Sequence, residues 1–226
     1  MSSRTVVVTG AFGSLGKIVA DEFEALGDKV ARIDFAPSAE GSPPHHIGGV
    51  DLTDETAASV ALSSVMETLG EPSVLVNVAG GFRWERLAEG SVSTWHQMFA
   101  MNAMTAVVMC KLLVPVLKRS ASGSIINIGA AAAQKAGAGM GAYAASKSAV
   151  ERLTESLSAE LEGTSVTVNA LLPTIIDTPA NREDMPREDF SRWVRPEAIA
   201  KVAAFLSSRD ARCIDGALIP VSRNDG

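Results

Sequence analysis

A tyrosine and a lysine stand four residues apart, Tyr143 and Lys147, in the stretch GAYAASK. Residues four apart share one face of a helix, so the ammonium would lie close to the phenol. A phenol has an ordinary pKa of about 10, and a neighbouring cation lowers that pKa by favouring the phenolate. The pair predicts a tuned proton donor or acceptor, although a surface Tyr-x-x-x-Lys pair is also common by chance.

A glycine-rich stretch, TGAFGSLG at 9–16, joins a β-branched run to a helical pattern. Gly10, Gly13 and Gly16 would allow a tight turn in which backbone amides approach a pyrophosphate at the start of the helix. The stretch could be an ordinary strand–helix turn. Its position between a strand and a helix favours phosphate binding.

Asp34 ends the second predicted strand, 18 residues after Gly16. A carboxylate there can accept hydrogen bonds from ribose hydroxyls and would repel a 2′-phosphate. No arginine or lysine occurs at 10–16 or 35–36. The sequence therefore predicts NAD(H) rather than NADP(H), against the alternative of a solvated aspartate at the end of a strand.

Two further segments could contribute to a ligand site. Asp51, in GVDLTD, could contact adenine, or it could cap a turn while Thr53 caps the next helix, and the residues leave both interpretations open. Asn77 and the AGG that follows it, with Gly80 and Gly81, lie at the carboxyl end of a predicted strand. Ligands bind at the carboxyl ends of strands in open α/β sheets, but these glycines could also only form a loop.

The elements that would position these residues alternate along the chain. Strands are predicted at 5–9, 29–35, 73–81, 122–129, 165–173 and 217–221. Helices are predicted before Gly27, after VDLTD, and at 94–118, 143–161 and 196–207, with a loop at 37–49 and an aperiodic polar segment at 174–194. The nearly continuous apolar strands predict an α/β fold with a doubly wound, Rossmann-like parallel sheet in a single domain, 1–226.

Composition limits the classes of function. The net charge of −6 and pI of about 5.1 argue against binding to nucleic acid or an anionic membrane. The charge-free run 90–110 is interrupted by polar residues, so it is expected to belong to a soluble domain and not to span a membrane. Two cysteines suggest a reducing cytoplasm, and no signal-peptide segment precedes the first strand. The three histidines lack a third ligand at metal-binding spacing, so no metal is expected.

Taken in order, these motifs resemble the short-chain dehydrogenase/reductase family over the whole chain. The resemblance rests on TGAFGSLG, Asp34, VDLTD, NVAGG, Asn102, YAASK, LLPTIIDT and GALIPV. It implies that Tyr143 is the general acid/base, that Lys147 holds the nicotinamide ribose, and that Asn102 positions a water in a proton relay. Thr178 would contact the carboxamide. The implied cofactor-binding residues are Gly10, Phe12, Gly13, Ser14, Leu15, Gly16, Asp34, Asp51, Leu52, Ala79, Gly80, Gly81, Tyr143, Lys147, Pro173, Ile176 and Thr178.

The sequence departs from the family pattern at three positions. Ser14 stands where the family usually has glycine, and Thr174 follows Pro173 where a glycine is usual. The family's catalytic serine lies thirteen residues before the tyrosine, and Ala130 occupies that position. A serine hydroxyl normally steadies a developing oxyanion, so its absence bears on the substrate.

The dihydropteridine reductase branch of this family is similar in that respect. The likeness rests on Gly129-Ala130, on AGG followed by an aromatic residue, on GMxxY before the tyrosine, and on LPTIIDTPANREDMPREDFSRW at 172–193. Asn102 departs from that branch, which lacks the relay asparagine. The resemblance implies a quinonoid dihydropterin as acceptor, with substrate contacts from Phe82, Trp84, Ala130, Met140 and Trp193.

Three functions stay open on the sequence. The first is an NAD(H)-dependent reductase of a conjugated small molecule, the second a ketone or alcohol oxidoreductase with water replacing the serine, and the third an NAD(H)-binding sensor. The segment 174–194 would be a lid over the substrate. Surplus apolar residues in the helices at 94–118 and 143–161, together with the family resemblance, predict a homodimer or homotetramer.

Overall fold

The structure, a computed structural model, describes residues 3–223. Within that range, seven parallel strands form one sheet in the order β3-β2-β1-β4-β5-β6-β7. The strands are β1 Thr5–Thr9, β2 Lys29–Ile33, β3 His46–Ile47, β4 Val74–Asn77, β5 Gly123–Ile128, β6 Val166–Pro173 and β7 Leu218–Val221. The strand order reverses between β1 and β4, and a ligand crevice is expected at the carboxyl ends there.

Helices cover both faces of the sheet. They are α1 Ser14–Ala25, α2 Glu55–Leu69, α3 Val92–Phe99, α4 Thr105–Leu117, α5 Gly141–Glu160, α6 Pro179–Asp184 and α7 Pro196–Leu206. A π-helical segment, Ala100–Met104, joins α3 to α4, and 3₁₀ turns occur at Ala131–Ala133, Phe190–Arg192 and Arg209–Ala211.

Alternate residues of β1 enter two separate cores. Val6 and Val8 pack with Phe23 of α1 in the core that also contains α7. Val7 packs with Leu113 of α4 in the core shared by α2 and α5. Both faces of the sheet are therefore buried, which explains the nearly continuous apolar strands. The doubly wound α/β fold in a single domain is confirmed.

The predicted loop at 37–49 contains a short strand. Arg32 and Asp34 donate backbone hydrogen bonds to the carbonyls of His45 and Ile47, which fixes β3 at the edge of the sheet. His46 lies in this strand and is half-buried. A two-residue strand is defined by its backbone pairing, so no side-chain period could have revealed it.

The cap of α2 also differs from the prediction. Asp54, not Thr53, is the N-cap, and its carboxylate accepts hydrogen bonds from the amides of Thr56 and Ala57. Thr53 instead bonds to Asp51 in the preceding turn. Aspartate and threonine both cap helices well. Which of two neighbouring residues is the N-cap depends on where the backbone turns into the helix.

The predicted helix at 94–118 is continuous over Val92–Leu117 once its π-helical segment is included. By length and composition this helix could cross a membrane, with a mean hydropathy of 1.8. Of its most apolar window, 56% is buried inside the fold, where the helix packs on α5, β4 and β5. Its apolar character is therefore explained by burial against the sheet.

The polar segment 174–194 is more ordered than its lack of periodicity suggested. Ile176 pairs with Val194 in a parallel bridge, and the guanidinium of Arg182 forms two hydrogen bonds with Asp177. The segment includes α6 and one 3₁₀ turn. Helices this short have fewer than two turns, so they leave no readable period in the sequence.

Candidate active site

The turn after β1 is closed against the segment after β4. Thr9 Oγ1 accepts hydrogen bonds from the amides of Val78 and Ala79, at 3.0 and 3.1 Å. Gly10 has a φ of +62°, and a Cβ there would lie 2.8 Å from Ala79 Cα. A Cβ on Gly16 would overlap the Gly10 carbonyl oxygen. Only glycine fits at these two positions, which leaves a smooth backbone cradle.

Helix α1 starts at this cradle. Gly13 is its N-cap in an extended conformation, and Ser14, the departure from the family pattern, is its first residue and is exposed. Among the described residues, no side chain caps this helix and its first turn contains no acidic residue. Its free amides suit a pyrophosphate, so the predicted phosphate site fits the geometry.

Asp34 is fixed at the edge of the cradle by two amides. Phe12 N donates to Oδ2 at 2.8 Å and Ala36 N donates to Oδ1 at 2.9 Å. Each carboxylate oxygen can accept a further hydrogen bond. The arrangement can therefore receive two ribose hydroxyls without moving the carboxylate.

Asp51 has the turn-capping role that the sequence allowed. Its Oδ1 accepts from Thr53 Oγ1 at 2.6 Å and from Thr53 N at 2.9 Å. These bonds lower the pKa of the Asp51 carboxyl. Asp51 also borders the cleft described next, so an adenine contact stays a prediction.

A cleft of about 660 Å³ runs along the carboxyl ends of β1, β2 and β4. It brings together the predicted cofactor residues Gly10, Phe12, Gly13, Ser14, Leu15, Gly16, Asp34, Asp51, Leu52, Ala79 and Gly80. Its lining also includes residues that sequence reasoning missed, namely Phe35, Ala36, Val50, Thr53, Val78, Gln97, Ala100, Met101 and Thr105. Of these, Phe35 could have been found because it follows Asp34. Gln97 to Thr105 reach the cleft only through the packing of α3 and α4.

The other predicted cofactor residues lie beyond that lining. Gly81 lies against Met101, and Pro173 ends β6. Ile176 packs partly on the core, and Thr178 Oγ1 caps α6 by accepting from Asn181 N. Contacts of Pro173, Ile176 and Thr178 with a cofactor stay predictions.

Tyr143 and Lys147 lie on the first turns of α5. Lys147 Nζ donates to the Ile128 carbonyl at 2.7 Å, and burial lowers its pKa to about 8. Burial raises the pKa of Tyr143 to about 12. This contradicts the expectation that Lys147 lowers the pKa of the phenol. Burial removes water from both groups, and this desolvation penalises the charged form of each.

Asn102 lies in the π-helical segment and is fully hydrogen-bonded. Its Oδ1 accepts from Gly81 N at 2.9 Å, and its Nδ2 donates to Gly81 O and to Ser146 Oγ. A Cβ on Gly80 would lie 2.5 Å from Asn102 Oδ1 and 3.3 Å from Lys147 Nζ. Asn102 therefore fastens the loop after β4 to α5, and a role in holding a relay water stays a prediction.

The wall beside the tyrosine lacks hydroxyl donors. Ala130 is buried and extended, and the 3₁₀ turn Ala131–Ala133 follows it. On α5, Ser146 Oγ donates to Tyr143 O, and Ser148 Oγ donates to Ala133 O. These nearby hydroxyls already serve backbone carbonyls, so neither replaces the missing serine without breaking a hydrogen bond.

Aromatic residues from the segment after β4 lie over the start of α5. The rings of Phe82 and Tyr143 form a T-shaped contact with centroids 4.9 Å apart. Trp84 Nε1 donates to the Ala138 carbonyl at 2.9 Å, and Met140 is the N-cap of α5. The structure thus brings three of the five predicted substrate residues, Phe82, Trp84 and Met140, to the start of α5.

Trp193 is the exception among these predicted substrate residues. It is 4% exposed, and its ring packs on Phe190, with centroids 4.7 Å apart. It borders a different depression, together with Thr174 and Ser222. The prediction relied on its place in a polar segment, but the tryptophan anchors that segment to the body of the protein.

Within residues 3–223, no group of three or more His, Cys, Asp or Glu side chains is arranged to hold a metal ion.

Comparisons with known proteins agree with this geometry. A family model for short chain dehydrogenase matches residues 4–189. The 3-oxoacyl-acyl-carrier-protein reductase FabG of Pseudomonas aeruginosa is 30% identical, over 98% of this chain and 97% of its own length. The 2-(R)-hydroxypropyl-CoM dehydrogenase of Xanthobacter autotrophicus is also 30% identical, over 96% of each chain.

A solved structure shows the same architecture. The short-chain dehydrogenase/reductase of Brucella melitensis, described as a glucose/ribitol dehydrogenase, superposes with a TM-score of 0.87 at 30% identity. The match covers 99% of this chain and 96% of that one. The glycine cradle and the Tyr143–Lys147 pair agree with these matches. The chain therefore belongs to the short-chain dehydrogenase/reductase family and is an oxidoreductase that uses a nicotinamide cofactor.

Proposed function

We propose that this protein is an NADH-dependent reductase of a flat, conjugated acceptor, with quinonoid dihydropterin as the model substrate. The observation that carries the proposal is the wall at Ala130, which has no hydroxyl, beside an intact Tyr143 and Lys147. A ketone develops a localised oxyanion that needs donors. A quinonoid ring is already oxidised and spreads the added charge, so one proton donor can suffice.

Each residue of the pair has a distinct task in this mechanism. Lys147 would hold the nicotinamide ribose, and a bound reduced nicotinamide would supply the hydride. Tyr143 donates its phenolic proton to the acceptor, and its raised pKa keeps that proton in place at neutral pH. The Ala130 wall excludes water and leaves room for a ring.

NADH is the proposed cofactor because of Asp34. Its carboxylate is fixed by Phe12 N and Ala36 N at the edge of the cleft. A 2′-phosphate would meet this negative charge directly, and no arginine or lysine occurs at 10–16 or 35–36 to compensate it.

The second candidate function is oxidoreduction of an ordinary ketone or alcohol. It is favoured by the names of the relatives, a 3-oxoacyl reductase and a hydroxypropyl dehydrogenase. In this case a water molecule would replace the serine hydroxyl. The third candidate, a sensor that binds NAD(H) without catalysis, is disfavoured because Tyr143, Lys147 and Asn102 are all retained.

The deciding experiment is an NADH-oxidation screen of quinonoid dihydropterin and simple ketones, with wild type, Ala130→Ser and the neighbouring control Ala132→Ser. We expect wild type to reduce the dihydropterin faster than any ketone. Ala130→Ser should raise ketone reduction by up to about 10²–10³-fold, the usual effect of one oxyanion donor, and leave dihydropterin reduction unchanged. Efficient ketone reduction by wild type without dihydropterin reduction would instead establish the second candidate.

We also propose a cytoplasmic homodimer or homotetramer. Exposed apolar side chains lie along the α3–α4 helix, among them Val92, Phe99 and Met104. A second copy would bury this surface. Light scattering at micromolar concentration should show a multiple of 23.5 kDa, and a stable monomer would contradict the proposal.

A further inference from the structure

Two segments meet in front of Tyr143 and hold each other by paired hydrogen bonds. Trp84 Nε1 donates to the Ala138 carbonyl at 2.9 Å, and Glu85 N donates to the Gly139 carbonyl at 2.8 Å. The first segment continues the loop after β4, and the second leads into α5. We call this contact between 84–85 and 138–139 the clasp.

The clasp depends on the absence of a side chain at Gly139. This residue has a φ of +76°, and a Cβ there would overlap the indole ring of Trp84. Gly137, two residues earlier, differs on both counts. Its φ lies outside the left-handed region, and a Cβ there would lie 3.3 Å from the flexible Met140 Sδ. The two glycines therefore form a matched pair for testing.

The clasp holds half-exposed aromatic rings beside the catalytic tyrosine. Phe82 is 51% exposed and Trp84 is 55% exposed, and Phe82 stands at 85° to the Tyr143 ring. Trp95 lies behind Gly141, where a Cβ would be 3.2 Å from its ring. Two of the chain's three tryptophans and its one tyrosine thus gather here, although aromatic residues are only 5% of the sequence. Exposed ring surface of this kind offers stacking contacts to a flat molecule.

We propose that Trp84 and Gly139 determine which acceptors reach Tyr143. The closed clasp presents ring surfaces along which a flat unsaturated acceptor can lie, whereas an acceptor with branched, tetrahedral substituents must part the two segments. This inference rests on the proposed function for the identity of the acceptor, and on the clasp alone for the selection by shape.

The test compares Gly139→Ala with Gly137→Ala, using quinonoid dihydropterins that carry either a methyl or a branched substituent. Gly139→Ala, which opens the clasp, should raise KM for the methyl compound about tenfold. The ratio of kcat/KM for the methyl compound to that for the branched compound should fall by a similar factor. Gly137→Ala should stay close to wild type. The Kd for NADH should change less than twofold in both variants, because the clasp lies outside the cofactor cleft.

Trp84→Phe provides a second variant that keeps a ring but removes the N–H donor. This variant should also narrow the preference for the methyl over the branched compound. Quenching of tryptophan fluorescence by the acceptor should be largely lost, although Trp95 and Trp193 remain. An unchanged preference in both Gly139→Ala and Trp84→Phe would overturn the inference, even if dihydropterin is the substrate.

Failure of the proposed function has a different signature. If wild type reduces only ketones, the same variants are compared on a flat aryl ketone and a branched aliphatic ketone. A narrowed preference there supports the clasp while the dihydropterin proposal fails, and an unchanged preference rejects both.

Discussion

The two sides of the site are built in different ways. On the cofactor side, at the ends of β1, β2 and β4, backbone contacts decide the shape: Gly10 and Gly16 leave no space for a Cβ, and two amides hold Asp34. On the acceptor side, the segments 82–85 and 130–140 meet through the Trp84 side chain and one backbone hydrogen bond, between Glu85 N and Gly139 O. A rigid scaffold thus supports the constant part of the reaction, and adaptable loops face the part that varies among enzymes.

This difference predicts how the two sides respond to mutation. Changes on the cofactor side should affect cofactor binding whatever the acceptor, and changes on the acceptor side should alter selectivity with the cofactor still bound. Tyr143 and Lys147 lie where the two sides meet. Their variants therefore test whether each residue acts in cofactor binding, in turnover or in both.

The largest effect is expected for Tyr143→Phe. Removing a general acid typically costs about 10²–10⁴ in rate, so turnover should fall within that range. The Kd for NADH should change little, because Phe retains the ring that contacts Phe82. Stopped-flow turnover and fluorescence titration with NADH would measure the two quantities. Full turnover on every accepted substrate would show that Tyr143 is not the proton donor.

Asp34→Ala should have the next largest effect and should act on the cofactor side alone. Loss of charge-assisted hydrogen bonds, about 1.5–3 kcal/mol, should weaken NADH binding by about 10–150-fold, with less or no loss for NADPH. Calorimetric titration of both cofactors would check this. Asp51→Ala is the control, since that carboxylate already bonds to Thr53, and it should leave the NADH preference in place. Tighter NADPH than NADH binding by wild type would contradict the assignment.

A pH profile separates the two residues at the boundary. Burial raises the pKa of Tyr143 to about 12 and lowers that of Lys147 to about 8. The phenol therefore keeps its proton through neutral pH. As the pH rises, the Lys147 ammonium loses its proton, and with it its charge, before the phenol deprotonates. For reduction, kcat/KM should be constant below pH 8 and fall about tenfold per unit above it. A profile that stays flat to pH 10 would mean that Lys147 need not be charged.

The smallest expected effect concerns the segment 174–194, which we propose is a lid on the acceptor side. Its two ends are held on the core by Ile176 and Val194, and the exposed part between them, which the Arg182–Asp177 pair braces, is the part that we expect to close. Hydrogen exchange in this segment should slow when NADH and acceptor bind together, and less when NADH binds alone. Unchanged exchange in a demonstrably bound complex would argue against closure.

Much of the cofactor side could be predicted because its requirements are local. A strand, a glycine turn and a helix are adjacent in the sequence, so TGAFGSLG fixes both the cradle and the amides that face a phosphate. Capping of α2 by Thr53, which belonged to one of the two interpretations left open for Asp51, does not occur, since Asp54 caps α2. Residues such as Met101 and Thr105 were missed because they reach the cleft from the π-helical segment and from α4, far away in sequence.

The acceptor side could be predicted only in part. Phe82 contacts Tyr143, and Trp84 and Met140 lie at the start of α5, but Trp193 is buried against Phe190. Nothing in the sequence pairs Trp84 with Gly139, because the contact joins two aperiodic segments. The direction of the Tyr143 pKa was also wrong, since spacing shows which charges are close but not how much water is removed.

By itself the sequence determined the doubly wound sheet and the glycine turn after β1, and it predicted a phosphate site and the reacting pair. Apolar periodicity and short-range geometry act along the chain, so they can be read there. Only the tertiary structure decided which loops meet in front of Tyr143, how Asn102 is used and how strongly Lys147 is desolvated. Those properties arise from distant segments packing together, and burial is a property of the whole fold.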